Sequence, residues 1–231
     1  MQQLLLLHGA IGSSQQLEKL RTELQGQYDV HTLNFSGHGG LPMPISFSIE
    51  SFAEDILLFL DTNQIPVTAV FGYSMGGYAA MYLARKHPER ISKLITLATK
   101  FHWDKPTAEK EVKMLNPSRI EEKLPAFAEL LKQRHRPEDW KQVLQKTASL
   151  LTEMGKNNPL KLPDYASIQI PVKLMLGDRD KMVSLEETLQ VFRTLPNAQL
   201  AVIPATQHPV EAVNTARLAF EIRDFLSPIP S

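Results

Sequence analysis

The sequence predicts an α/β fold with a mostly parallel, doubly wound sheet, and three observations point to it. Six short apolar runs recur along the chain, at residues 4–7, 30–33, 67–71, 93–97, 172–176 and 199–203. Helical patterns separate most of these runs, and nine of the 11 glycines stand just after four of them. Near-continuous apolar runs of this length read as strands buried on both faces, as in a parallel sheet. Strand alternating with helix builds right-handed βαβ units, and ligands bind such sheets at the carboxyl ends of the strands. That edge is where the glycines gather.

The helices follow in order. Leu17, Leu20 and Leu24 space the first, after the run at 4–7; Phe52, Ile56, Leu57 and Leu60 space the second. Residues 78–86 continue a third from the glycines at 76 and 77. A helix over 185–192 follows Gly177, and Ser184 with Glu187 has the spacing of a capping box at its start. A helix over 210–226 closes the chain.

One stretch, from about residue 101 to 166, breaks the alternation. It carries no strand pattern, and Pro106, Pro117, Pro125, Pro137, Pro159 and Pro163 cut it into short helices. Trp140, Val143, Leu144, Leu151 and Met154 share one face of the longest, and Phe127, Leu130 and Leu131 one face of another. Such faces serve as core, as the underside of a cap over the strand ends, or as both. The expected organisation is therefore a core of residues 1–100 and 167–231, with a small helical cap, residues 101–166, inserted in it.

Composition excludes several classes. With 231 residues, one large domain carrying an insertion is expected, and area scaling buries about 70% of the unfolded surface. The chain is 43% hydrophobic and 22% charged, an ordinary balance for a soluble globular protein. Lys+Arg 25 matches Asp+Glu 25, so a net charge of +0 offers no electrostatic footprint for nucleic acid or anionic membrane. Cys 0 removes disulfides, thiolate metal sites and cysteine nucleophiles together. The run at 4–7 is too short for a membrane span or a signal peptide, so the cytoplasm is the default compartment. The oligomeric state stays open.

The chemistry centres on Gly72-Tyr73-Ser74-Met75-Gly76, which fits G-x-S-x-G between a strand run and a helix. A turn this tight exposes the serine hydroxyl at the sheet edge, over a helix N-terminus that favours negative charge. The hydroxyl then needs a base. Of seven histidines, His31 lies in a strand pattern, His87 at a helix end, and His135 among charges of the inserted stretch. His8 and His38 sit beside glycines as turn-shapers, and His102 opens the insertion, where it suits a pocket wall. His208 follows the last strand run, on the same edge as Ser74, and is the expected base. A carboxylate must hold its tautomer. Asp180 is preferred to Asp178, which reads as a turn former. The amides of Met75 and Ala10 are the expected oxyanion hole. Ile11, Tyr73, His102 and Trp103 are the expected substrate contacts.

Together these residues resemble an α/β-hydrolase over nearly the whole chain. The matching elements are His8-Gly9 after the first strand, Ser36-Gly37-His38-Gly39 after the second, the elbow at Ser74, Gly177-x-x-Asp180, and His208. The resemblance implies a catalytic set of Ser74, Asp180 and His208, with the acid three residues beyond the glycine. It implies a small acyl ester or thioester as substrate, an acyl-enzyme intermediate, and no metal or organic cofactor. The chain begins at what resembles the family's third strand, so a smaller sheet lacking the usual first strands is expected. Gln207 stands where the family often has glycine.

Within the family, the layout is similar to small capped serine esterases of the pimeloyl carrier-protein methyl ester esterase kind. More distantly it resembles the menaquinone-pathway lyase, the SHCHC synthase. That type usually has Arg where this chain has Tyr78, which argues against a carboxylate-rich substrate unless Arg134 or Arg136 supplies the charge. A lyase or C–C bond hydrolase using the same three residues is the alternative; a non-catalytic binding protein is disfavoured by the complete set. Relatives that use Asp as nucleophile are excluded by Ser74.

Overall fold

All six apolar runs form strands in the computed structural model, which describes residues 1–227. They are β1 (Gln2–Leu7), β2 (Tyr28–Leu33), β3 (Thr68–Tyr73), β4 (Ile91–Leu97), β5 (Val172–Gly177) and β6 (Ala198–Ile203). They make one sheet in the order β2-β1-β3-β4-β5-β6, with every neighbouring pair parallel. The sheet of the described residues is thus wholly parallel, where a mostly parallel one was expected. Burial on both faces holds for the interior of the sheet. It fails at the edges, where Asp29 of β2 and Gln199 and Val202 of β6 are exposed because an edge strand has a neighbour on one side alone.

Side-chain alternation along the strands splits the core into two layers. Leu5 and Leu7 of β1, with Val70, Leu94 and Leu174, face α2 (Ile49–Thr62), α3 (Met75–Lys86) and α8 (Leu185–Thr194). Leu4 and Leu6, with Phe71, Ile95 and Met175, face α1 (Glu18–Leu24) and α9 (Thr215–Leu226). Ser184 caps α8 as its spacing predicts: its Oγ accepts from the Glu187 amide at 3.2 Å, and the Glu187 carboxylate accepts from the Ser184 amide at 3.1 Å. The closing helix is shorter than expected. Residues Val210–Ala212 form a separate 3-10 turn, and the Asn214 side chain accepts from the Arg217 amide at 2.9 Å, so α9 starts at Thr215.

Between β4 and β5 the chain runs through α4 (Lys105–Val112), α5 (Pro117–Lys123), α6 (Pro125–His135) and α7 (Trp140–Lys156). Pro106, Pro117 and Pro125 sit in the first turns of α4, α5 and α6, where a missing N–H costs nothing. The buried face of α7 carries Trp140, Val143, Leu144, Thr147, Leu150 and Met154. On α6, Leu131 is buried but Leu130, expected beside it, is exposed. Adjacent helical residues do not share a face, so α6 buries one of the two. Among the described residues no helix is long and apolar enough to cross a membrane.

Candidate active site

The chain passes from β1 to β2 on one side of the sheet and then to β3 on the other, so the strand order reverses at β1 and β3. Loops leaving two such strands open a crevice at their carboxyl ends. Ser74 stands there, at the turn from β3 into α3, with φ 51 and ψ −116. A non-glycine residue in this region costs about 1–3 kcal/mol and persists only where its surroundings fix it. Here the Ser74 amide donates to the Leu97 carbonyl at 2.8 Å, and Thr99 Oγ1 donates to the Ser74 carbonyl at 3.1 Å. The neighbouring glycines are steric requirements: a Cβ on Gly72 would stand 2.5 Å from Gly77 Cα, and one on Gly76 2.5 Å from the His8 carbonyl. The β1 loop also comes near, since a Cβ on Gly9 would lie 3.2 Å from Ser74 Cβ. Met75 opens α3, so its amide has no carbonyl within the helix to bond.

His208 lies in the loop between β6 and α9. Its Nδ1 donates to Asp180 Oδ2 at 2.8 Å, which leaves Nε2 as the nitrogen with a lone pair. The Asp180 carboxylate is wholly buried, and its Oδ1 accepts from the amides of Met182 and Val183, each at 2.8 Å. Burial pushes this carboxyl up, but the bond from His208 and the two amides outweigh it, and the pKa is lowered. Asp178 is exposed and accepts from the Thr206 amide at 3.1 Å, which ties its own turn to the β6 loop.

Ser74 and His208 line one hollow together with Ala10, Met75 and Trp103. A second hollow also starts at Ser74 and His208 and runs past Ile11, Tyr73 and Phe127. Of the expected site residues the structure therefore brings together Ala10, Ile11, Tyr73, Ser74, Met75, Trp103, Asp180 and His208. His102 is the exception. It is exposed, pairs with Asp104 at 3.2 Å, and lines a separate depression with Tyr165. Its neighbour Trp103, in the same irregular segment, takes the side of the cavity. The Tyr78 hydroxyl bonds Asn158 and accepts from the Leu160 amide at 3.0 Å, so position 78 contributes no cation. Arg134 donates to the Ile11 carbonyl and to Glu211, each at 3.2 Å, while Arg136 is exposed. Neither supplies an unengaged charge to the site.

His135, expected among charges of the inserted stretch, is fully buried. Its Nδ1 accepts from the Gly39 amide at 3.2 Å and its Nε2 donates to the Ile11 carbonyl at 3.1 Å. The end of α6 is thereby fastened to both strand-end loops, including the one that carries Ala10. His8 does similar work, donating to the Gly9 carbonyl at 2.7 Å and accepting from the Phe35 amide at 3.2 Å. The His38 ring lies between these two, with centroids 5.3 Å from His8 and 5.8 Å from His135. Burial lowers His8 and His135 to about 4 and His38 well below its ordinary value. These three are neutral spacers. The sequence does hold a signal for His135: it continues the Ala128 and Leu131 stripe of α6 at helical spacing.

A family model described as alpha/beta hydrolase fold matches residues 3–118. Among curated proteins, a pimeloyl-[acyl-carrier protein] methyl ester esterase of Neisseria meningitidis is 30% identical over 94 residues, or 41% of this chain and 35% of that protein. That match thus spans about a third of the relative's length. An esterase of the same name from Vibrio parahaemolyticus is 26% identical over 244 residues, covering 96% of this chain and 93% of that protein. Among solved structures, a thermophilic esterase from Thermogutta terrifontis is 26% identical with a TM-score of 0.74, covering 98% of this chain and 89% of that one.

Proposed function

This chain belongs to the alpha/beta hydrolase fold family, and on that premise we propose that it is a serine hydrolase cleaving carboxylic esters or thioesters. The observation that carries the proposal is the His208–Asp180 hydrogen bond at 2.8 Å beside a cavity that also holds the strained Ser74. The esterase names of relatives that align along nearly the whole chain support the same reaction class.

In this mechanism His208 Nε2 takes the Ser74 proton as Oγ attacks the substrate carbonyl. Asp180, ionised and buried, stabilises the imidazolium and keeps Nδ1–H directed at itself. The amides of Met75 and Ala10 hold the oxyanion, and one such donor is worth roughly a hundred- to a thousandfold in rate. The tetrahedral adduct collapses as His208 returns its proton to the departing alcohol or thiol. A water, deprotonated by the same nitrogen, then attacks the acyl-enzyme, releasing the acid and restoring Ser74. These five groups provide nucleophile, base and charge stabilisation, so this sequence of steps calls for no cofactor. Residues 101–166 serve as the cap, with Trp103 and Leu151 walling the acyl group.

The test is turnover of short methyl esters followed by acid release. Ser74→Ala and His208→Ala are each expected to lower kcat by orders of magnitude with a nearly unchanged Tm, because both remove chemistry rather than packing. Wild-type-like turnover in either variant would contradict the proposal.

A further inference from the structure

Two polar side chains in the wall of this cavity have no role in the chemistry above. Glu111 of α4 is 4% exposed, lines both hollows that start at Ser74, and leaves its buried Oε1 without a hydrogen-bond partner. Thr147 of α7, the helix packed against α4, is fully buried, lines the larger hollow, and leaves its Oγ1 equally unpartnered. The nearest cation is Lys100, whose Nζ lies 3.6 Å from Glu111 Oε1, beyond hydrogen-bond reach. Lys100 is also engaged elsewhere. It donates to the Met182 carbonyl and stands 3.8 Å from the Glu187 carboxylate. Glu187 is itself satisfied, accepting from the amides of Ser184 and Phe101 at 3.1 and 3.0 Å. Two carboxylates thus share one ammonium, and Glu111 is the one left with an open acceptor.

A buried carboxylate oxygen and a buried hydroxyl left open in the cavity wall are costly unless something else completes them. A carboxylate or phosphate is the wrong occupant, because the three charged groups already sum to net negative. An ammonium would satisfy Glu111 but offers nothing that Thr147 can donate to. A hydroxyl matches both in chemistry, since it can donate to a carboxylate and accept from another hydroxyl. We propose that Glu111 and Thr147 form a recognition site for a hydroxyl carried by the substrate, so that the enzyme selects hydroxylated esters. This rests on the hydrolase reading and names its substrate class.

The experiment compares kcat/KM for methyl esters of ω-hydroxy acids with their unsubstituted, ω-methoxy and ω-ammonio counterparts over a range of chain lengths. A parallel series carries the hydroxyl on the alcohol instead. In at least one series the wild-type enzyme should prefer the hydroxyl over the methoxy ester by roughly ten- to a hundredfold, the worth of a hydrogen bond to a charged group. Glu111→Gln and Thr147→Val should each shrink that ratio, with Tm recorded for both. A purely structural Lys100–Glu111 pair would instead lower Tm and slow all esters alike. Equal rates for hydroxyl and methoxy esters at every length, which needs no variant to read, would overturn the site while leaving the hydrolase reading intact. Preference for the ammonio ester would overturn the choice of hydroxyl. Failure to hydrolyse any ester would remove the hydrolase reading and this inference with it.

Discussion

Asp180 and His208 stand 28 residues apart in sequence, and the structure joins them at 2.8 Å, with the other Asp180 oxygen fixed by the amides of Met182 and Val183. Two amides therefore aim one wholly buried carboxylate at one ring nitrogen. Asp178, two residues earlier, points to solvent and braces the β6 loop through the Thr206 amide.

The two aspartates consequently separate by mutation. Asp180→Asn presents an amide to His208 Nδ1 and favours the wrong tautomer, a defect on the order of 10⁴ in kcat in a serine protease of the same logic. Asp178→Asn keeps an oxygen acceptor for the Thr206 amide and should retain most activity. Steady-state kcat for both variants on one ester checks this, and a worse Asp178 variant would reassign the acid.

Trp103→Ala should change substrate choice more than stability. The ring lines the hollow over Ser74 and is half-buried, with Nε1 donating to the Lys100 carbonyl at 3.2 Å. Removing a pocket-filling group alters discrimination among ester chain lengths by roughly 1–3 kcal/mol. If Trp103 were ordinary core, the same change would cost about 3–5 kcal/mol of stability and leave the chain-length profile alone. One variant, measured for both Tm and profile, separates the two.

The buried histidines predict an acid-sensitive fold. His8 and His135 have pKa values lowered by burial from 6.5 to about 4, and His38 lies well below 6.5. The unfolded chain then binds more protons than the folded one between these limits, so stability rises with pH across the window. The contribution is fully present above 6.5 and is lost as pH falls toward about 4. It is worth roughly 3 kcal/mol for a single such histidine. Urea midpoints should fall between about pH 7 and about pH 5, a window in which ordinary histidines titrate. His38→Phe, whose ring would take the stacked place beside Phe47, should flatten that fall. A wild-type midpoint independent of pH in this window would contradict the account.

Gly76→Ala should disturb the elbow. Its Cβ would stand 2.5 Å from the His8 carbonyl and 2.8 Å from Leu7 Cβ, so the β1 loop or α3 must shift. Overpacking of this kind costs about 1–3 kcal/mol. Tm should fall, and kcat should fall further than the loss of Tm explains, because the loop that moves carries Ala10. An unchanged kcat would mean that this contact does not set the site.

Much of this architecture is legible in the sequence because it is local. The strand runs, the Ser184–Glu187 cap and the glycines around Ser74 each follow from a few neighbouring residues. What the sequence leaves hidden depends on distant segments meeting. The partners of His135, though not its place on the buried stripe of α6, need the Gly39 and Ile11 loops to converge there. The opposite fates of His102 and Trp103 are set by which side of one irregular segment faces the cavity, and no spacing rule encodes that. The open acceptor of Glu111 exists because Lys100 is drawn toward Met182 and Glu187, some seventy to ninety residues away along the chain. Leu130 and Leu131 look equivalent by composition, and only the direction of α6 tells them apart.

On the proposed mechanism Ser74 is a nucleophile activated by His208. Intact-protein mass after exposure to a fluorophosphonate, with peptide mapping, tests it most directly. One adduct per chain is expected, on Ser74, absent in Ser74→Ala and formed far more slowly in His208→Ala. An unlabelled wild-type protein, or an adduct that persists in Ser74→Ala, would contradict it.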